Sequence, residues 1–287
     1  MSAQKVLLLY SGGLDSRISL KLLKEKGYEV KAAFFKIPFS SSSTQPSLFL
    51  NNEDVPLEIF DCTKGHLFHE YLEMIKSPEY GRGAGYNPCT DCKIFMLKRA
   101  SEFAKKNGFD ALATGEVPGQ RPMSQTSKKM KIIRENIDIP IIRPLKDEGI
   151  QGRTRKIQMR LAKQYNIDYP SPAGGCLFCE RDLKTRLKTL IENEIVKEET
   201  GSLVTIGRHF YFSEISTWIV VGREKPENDI IEQYTNTIKS GKGKPAVYYE
   251  WNDEENEKKA ESTALSIQKA YQDKDREKID YYTKWKL

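Results

Sequence analysis

At 287 residues the chain is long enough for a sizeable core and, at ordinary domain sizes, about two domains. Its hydrophobic content of 38% is that of a globular protein, its longest apolar runs, such as Val6 to Tyr10, are far too short to span a bilayer, and no signal-peptide pattern precedes the first strand, so a cytoplasmic protein is expected. The net charge of +6, from 46 Lys+Arg against 40 Asp+Glu, permits a polyanionic partner without demanding one, and five cysteines in such a chain argue against a disulfide scaffold and for metal or redox chemistry.

Val6 to Tyr10 predicts a buried strand and Arg17 to Lys26 a helix, with Ile18, Leu20, Leu22 and Leu23 as its apolar positions. "YEVKAAFFKI" predicts a second strand, and "SSSSTQPS" (40–47) has the composition of a loop. "PLEIFDC" predicts a third strand, followed by a helical stretch through Met74 and a Gly- and Pro-rich loop over 77–88. A helix from about Asp91 to Lys106 and a fourth strand, "DALATG", follow. Strands alternating with helices predict an α/β fold, a parallel sheet covered by helices on both faces. From Gly201 "SLVTIGRHFYF", "TWIVVGR" and "PAVYYEW" predict strands, while "PENDIIEQYTNTIKSG" and "DEENEKKAESTALSIQKAYQD" predict helices. The expected division is residues 1–199 and a small α+β domain over 200–287.

The stretch "LLLYSGGLDSRISLKLL" joins the first strand to the first helix through Ser11, Gly12, Gly13, Leu14, Asp15 and Ser16. Glycines let the backbone approach a phosphate closely. The free N–H groups and dipole of the following helix favour an anion there. Asp15 would act on phosphate through a divalent cation. The Walker spacing is absent. A plain turn in which Asp15 or Ser16 caps the helix has the same spacing. SGGLDS in this position resembles the pyrophosphate loop (PP-loop) of the N-type ATP pyrophosphatases, which cleave ATP between the α and β phosphates. The resemblance implies the Rossmann-like, adenine nucleotide alpha hydrolase-like fold. It also implies ATP with Mg2+ at Ser11, Gly12, Gly13, Asp15 and Ser16. Ligands of open α/β sheets bind at strand ends, which adds Phe35, Thr114 and Gly115 as adenosine neighbours.

Cys89 and Cys92 form one Cys-x-x-Cys in "GYNPCTDCKIFM", and Cys176 and Cys179 a second in "AGGCLFCERD". Two such pairs suit a closed zinc site; three thiolates suit an iron–sulfur cluster with one iron open; two suit a redox or persulfide-carrying pair. Cys62, at a strand end, reads as a small buried hydrophobe. "GYNPCTDCKIFM", "DALATGE", "GRTRKIQMRLAKQYNI" and "AGGCLF" follow one another as in the tRNA thiouridylases, and the resemblance spans residues 5 to about 190. Cys92 and Cys176 match the two cysteines of the 2-thiouridylases. Glu116 stands where those enzymes have His, and Cys89 where they often have Asp. A Cys-x-x-Cys with a distant third Cys resembles the cluster-dependent thiolases. That implies [4Fe-4S] on Cys89, Cys92 and Cys176, with a persulfide relay through Cys92 and Cys176, or zinc, as the alternatives, and leaves Cys179 apart or auxiliary. The three cysteines are expected to converge beside the ATP pocket, where Gly174 and Gly175 let the chain come close.

"GRTRKIQMRLAKQ" and "RDLKTRLK" are basic and flank Cys176; a solvated helix face and a phosphate-backbone track both fit. The track would use Arg153, Arg155 and Lys156. "HFYFSEISTWIVVGREKPENDII" resembles the RNA-associated domain of the ribosome-quality-control (NFACT) proteins, implying RNA contact through Arg208, Arg223 and Lys225. The expected function is an ATP-dependent tRNA sulfurtransferase, which adenylates a uridine carbonyl oxygen and replaces it with sulfur, releasing AMP and pyrophosphate. Its expected partners are tRNA, a sulfur donor (sulfide or a persulfide carrier protein) and, in a homodimer, a second copy. The alternatives are a zinc-stabilised RNA-binding protein and an amide-forming ATP pyrophosphatase acting on a small acid.

Overall fold

The computed structural model describes residues 3–39, 47–120, 123–169 and 176–287. Of the loop expected over 40–47, residues 40–46 lie outside the described residues, as does the pair Gly174–Gly175, and Ser47 opens a helix. The chain divides into two compact units, Met1–Cys179 and Glu180–Leu287. The sequence placed the change near residue 200. The 184–192 segment falls in the second unit, where Arg186 Nη1 donates to the Val204 carbonyl at 2.9 Å.

The first unit runs β1 (Lys5–Leu9), α1 (Leu14–Glu25), β2 (Glu29–Lys36), α2 (Ser47–Asn52), β3 (Leu57–Asp61), α3 (Gly65–Lys76), α4 (Cys89–Lys106), β4 (Ala111–Thr114), α5 (Ser127–Glu135), β5 (Ile141–Ile142), α6 (Pro144–Asp147) and α7 (Lys156–Gln164). Its five strands are all parallel, in the order β3-β2-β1-β4-β5. Val6, Leu7, Leu8 and Leu9 make β1 apolar on both faces, as a central parallel strand requires. Val6 and Leu8 pack with Leu20 and Leu23 of α1 on one face; Leu7 and Leu9 pack with Ile94 and Leu97 of α4 on the other. Burying each such side chain contributes about 1.5–3 kcal/mol. The chain steps from β1 outward to β3, then returns to β4 on the other side of β1. A crevice therefore opens at the carboxyl ends of β1, β2 and β4, where ligands of such sheets bind.

Two boundaries differ from expectation in ways that matter. Helix α1 begins at Leu14, three residues early, so Asp15 and Ser16 lie in its first turn rather than in the loop, and Gly13 in extended conformation is the N-cap. Helix α4 begins at Cys89, so both thiols of the first pair ride on its first turn. Strand β5 is only two residues long and α5 was not anticipated. Helix α7 spans less than its basic segment, with Arg153 and Arg155 ahead of it.

The second unit runs α8 (Lys184–Glu192), β6 (Arg208–Phe212), β7 (Thr217–Val221), α9 (Lys225–Ile231), β8 (Thr237–Ile238), β9 (Val247–Trp251), α10 (Glu257–Asp273) and α11 (Arg276–Tyr282). Its antiparallel sheet has the order β6-β7-β9-β8. Phe210, Ile219 and Val247 pack against Ala264 and Ile267 of α10. The first predicted strand shrinks to β6 because 201–205 forms a 3-10 turn, and the predicted helix over 226–241 stops at Ile231, beyond which β8 joins the sheet edge.

Candidate nucleotide and thiol site

A cavity of 470 Å³ lies at the carboxyl ends of β1, β2 and β4, within the range of small-ligand pockets. Its floor is the loop of the opening motif: Ser11, Gly13, Leu14, Asp15 and Ser16 all line it. Gly12 carries the turn at a φ of +78°, with its carbonyl accepting from Arg17 Nε at 2.8 Å. Ser16 Oγ donates to the Gly13 carbonyl at 2.8 Å, and the Gly13 N–H reaches Ser11 Oγ at 3.4 Å. No side chain caps α1, so the first-turn N–H groups remain for an anion. Phe35 lines the cavity from β2 and stacks on Phe60 with centroids 4.5 Å apart. Gly115 lines it from the end of β4, whereas Thr114 is buried behind, its hydroxyl donating to Glu116 at 3.0 Å.

Asp15 is the acidic residue of this floor. Burial raises its pKa, opposed by the charge of Arg155, and its Oδ1 is buried without a hydrogen-bond partner. An orphaned carboxylate oxygen at a phosphate-sized cradle suits a hard divalent cation. Arg155 lines this cavity while remaining exposed, as Arg153 and Lys156 of the expected RNA track also are.

The thiols form a separate group. Cys89 and Cys92, three residues apart, share one face at the start of α4. Asn87 Nδ2 donates to Cys89 Sγ at 3.0 Å, and the Tyr71 hydroxyl lies 3.4 Å from Cys92 Sγ. The second pair arrives on a 3-10 turn, Leu177–Cys179, whose Phe178 carbonyl accepts from the Tyr86 N–H at 2.8 Å. The approach needs glycine at 85, because a Cβ there would lie 2.3 Å from the Phe178 oxygen. Cys179 does not stand apart: its thiol contacts those of both Cys89 and Cys176, and Cys92 is close enough to Cys176 to act on its charge. The Cys179 contact, then burial, holds the Cys176 thiol far above its ordinary pKa; burial pushes Cys92 up to about 11. Cys62 is fully buried, and burial, with Cys92 nearby, pushes it up to about 12. The thiols themselves do not line the cavity among the described residues; Lys93, next after Cys92, does.

The sequence reading missed Lys93, Met96 and Gln125 as cavity residues. Glu116, singled out there only as a departure from the thiouridylase pattern, lines the cavity too. In the second unit Arg208 lies over the Tyr271 ring at 5.2 Å, and Arg223 is committed to Glu227, its Nε donating to Oε1 at 2.9 Å.

A parallel sheet whose first strand ends in Ser-Gly-Gly above a nucleotide-sized cavity defines a PP-loop α/β protein. The family described as thiamine biosynthesis protein (ThiI) matches residues 1–165, and the chain belongs to that family. It is 34% identical over 149 residues to a probable tRNA sulfurtransferase of Methanocaldococcus jannaschii, covering 50% of this chain and 37% of that protein. It is 31% identical over 209 residues to a probable tRNA sulfurtransferase of Halothermothrix orenii, covering 71% of this chain and 51% of that one. Against the tRNA-specific 2-thiouridylase MnmA of Helicobacter pylori it is 31% identical over 142 residues, covering 47% and 39%. The chain thus spans about half or less of these relatives' lengths. A crystal structure of a 4-thiouridine synthetase–RNA complex with bound ATP superposes with a TM-score of 0.48 at 21% identity, over 67% of this chain and 53% of that one. No helix among the described residues is long and apolar enough to cross a membrane.

Proposed function

We propose that the chain is an ATP-dependent tRNA sulfurtransferase, which adenylates a uridine carbonyl oxygen and replaces it with sulfur. The observation that carries this reading is the joint at Cys92–Lys93: one residue belongs to the thiol group and the next lines the nucleotide cavity. Family membership and the names of the relatives support it. The amide-forming alternative gives four gathered thiols no task.

Asp15 would hold Mg2+, which supplies charge neutralisation to the β and γ phosphates. The N–H groups of α1 and the guanidinium of Arg155 bind and orient the triphosphate. The uridine oxygen attacks the α-phosphorus, pyrophosphate leaves, and the ring carbon becomes a good electrophile. Soft thiol donors suit iron or zinc, yet among the described residues no group of three His, Cys, Asp or Glu side chains is spaced to hold a metal ion. The [4Fe-4S] assignment therefore gets no step, and sulfur is routed through the thiols. A donor leaves a persulfide on Cys176. Its terminal sulfur attacks the activated carbon, and AMP departs with the C–O electron pair. The Cys92 thiolate then attacks Cys176 Sγ, forming a Cys92–Cys176 disulfide and freeing the thiocarbonyl; a reductant restores the pair. Arg153 and Lys156, with Arg208 and Arg223 of the second unit, are the proposed tRNA contacts, and the cytoplasm is the proposed compartment.

The test is the full chain with ATP, unmodified tRNA transcript and a persulfide donor, read by nucleoside mass spectrometry and AMP release. Cys92→Ser and Cys176→Ser are expected to keep AMP formation and lose thiouridine. ATP consumption indifferent to tRNA in the wild type would refute the reading.

A further inference from the structure

The four paired thiols differ in how far solvent reaches them. Cys89, Cys92 and Cys176 are half-buried, whereas Cys179 is exposed. Cys92 Sγ faces inward, 3.4 Å from the hydroxyl of Tyr71, a side chain that is itself fully buried. The disulfide that the proposed thiolation leaves, Cys92–Cys176, therefore has one sulfur turned to the interior. Thiol–disulfide exchange depends on which sulfur an attacking thiolate can reach, and a protein-sized reductant reaches this bond poorly.

The turn that carries the second pair sets Cys179 where it can take that bond over. Leu177–Cys179 is a 3-10 turn, and the Cys179 N–H donates to the Cys176 carbonyl at 2.9 Å. Three residues per turn eclipse the side chains at i and i+3, so Cys176 and Cys179 project from the same side. Phe178 between them is fully buried, its ring edge against Phe39 with centroids 5.3 Å apart. Its carbonyl accepts from the Tyr86 N–H, and a Cβ on Gly85 would lie 3.1 Å from the Cys179 carbonyl carbon, so close backbone packing fixes the turn. The Cys179 thiol touches those of Cys176 and Cys89. One exposed sulfur thus stands against a half-buried one that the chemistry leaves oxidised.

Resting on the thiolation reading, we infer that Cys179 is a further catalytic residue, the thiol that takes the disulfide over from Cys92 and carries it to the surface for reduction. The Cys179 thiolate attacks Cys176 Sγ. The Cys176–Cys179 bond forms, the Cys92–Cys176 bond breaks, and Cys92 leaves with the electron pair and takes up the proton that Cys179 gave up. This exchange involves no net oxidation. A dithiol protein then attacks Cys179 Sγ from solvent, giving a mixed disulfide and releasing Cys176. The second thiol of that protein attacks the mixed disulfide, so Cys176 and Cys179 return to thiols while the dithiol becomes a disulfide and supplies the two electrons and two protons. Cys92 and Cys176 are then ready for the next persulfide, and Cys89 stays a thiol throughout.

The test uses the full chain with ATP, unmodified tRNA transcript, a persulfide donor and a thioredoxin-type dithiol protein as reductant. Thiouridine is counted per chain over time, and disulfides are mapped by mass spectrometry after an acid quench. Cys179→Ser and Cys179→Ala are expected to make about one thiouridine per chain and then to slow on the order of tenfold, with an unchanged thermal melt. Dithiothreitol, small enough to enter, is expected to restore their rate. Starved of reductant, the wild type is expected to hold Cys176–Cys179 and the Cys179→Ser variant Cys92–Cys176. Wild-type turnover of the variants with the dithiol protein, loss of the first thiouridine as well, no recovery with dithiothreitol, or a Cys89–Cys179 disulfide in place of Cys176–Cys179 would overturn the inference. A wild-type chain that forms no thiouridine overturns the thiolation reading and the inference with it, whereas an active wild type matched by its Cys179 variants overturns the inference alone.

Discussion

Replacing Gly115 with alanine tests whether the cavity floor is the phosphate cradle. A Cβ at this position would lie 2.9 Å from both the carbonyl carbon and oxygen of Asp15 and 3.0 Å from the Ser16 nitrogen. These are backbone atoms in the first turn of α1, and no side-chain rotation can relieve the clash. Ordinary carbon contacts begin near 3.5 Å, so β4 and the start of α1 must separate by about 0.5 Å. Overpacking of this size costs about 1–3 kcal/mol. The displaced atoms are the ones proposed to hold phosphate. If only half of that strain is relieved by loosening the cradle, ATP binding weakens by about 1 kcal/mol, or roughly fivefold, and the upper end exceeds tenfold. Isothermal titration with ATP, paired with a thermal melt, separates the effects: affinity should fall while the protein stays folded. Unchanged ATP affinity in Gly115→Ala would refute the placement of the triphosphate against the start of α1.

Other outcomes follow from the same geometry. Asp15→Asn should cut AMP formation on the order of 100-fold or more without loss of fold, and the deficit should not be restored by excess Mg2+; measured AMP release checks this. Replacing Arg153 and Lys156 together should weaken tRNA binding and reduce the salt slope by about 0.9 per lost phosphate contact, leaving the ATP dissociation constant alone, whereas Arg155→Ala should weaken ATP binding; filter binding and calorimetry distinguish the two. In the second unit, hydrogen bonding from Arg223 lowers the Glu227 pKa from 4.5 to about 2. A depressed folded-state pKa gives stability that is fully present above about pH 4.5 and is lost as pH falls toward 2. Acid titration of the melting transition should show that loss, and Glu227→Gln should flatten it.

The alternation of strand and helix, the apolar run of β1 and the glycines between Ser11 and Leu14 were legible because each is a local property of the chain. Backbone sterics and hydrophobic periodicity act over a few residues, so they announce a parallel sheet and a phosphate-sized turn without knowledge of what packs where. The two Cys-x-x-Cys pairs were legible for the same reason, as spacing. What lay beyond them required the third dimension. Asp15 sits in a helical first turn rather than a loop because Gly13, in extended conformation, opens the helix without a side-chain cap. Arg155, exposed along the expected RNA track, also lines the cavity because α7 starts only after it, leaving it free to reach the floor beside Asp15. Cys179 joins the thiols because Gly85 lets one backbone press against another. The pairing of Lys93 with Glu116 arises from α4 packing beside β4, which brings together charges 23 positions apart in the chain. Local propensity decides which elements form; only the way they pack decides which distant charges and thiols share a low-dielectric space, and it is there that their chemistry is set.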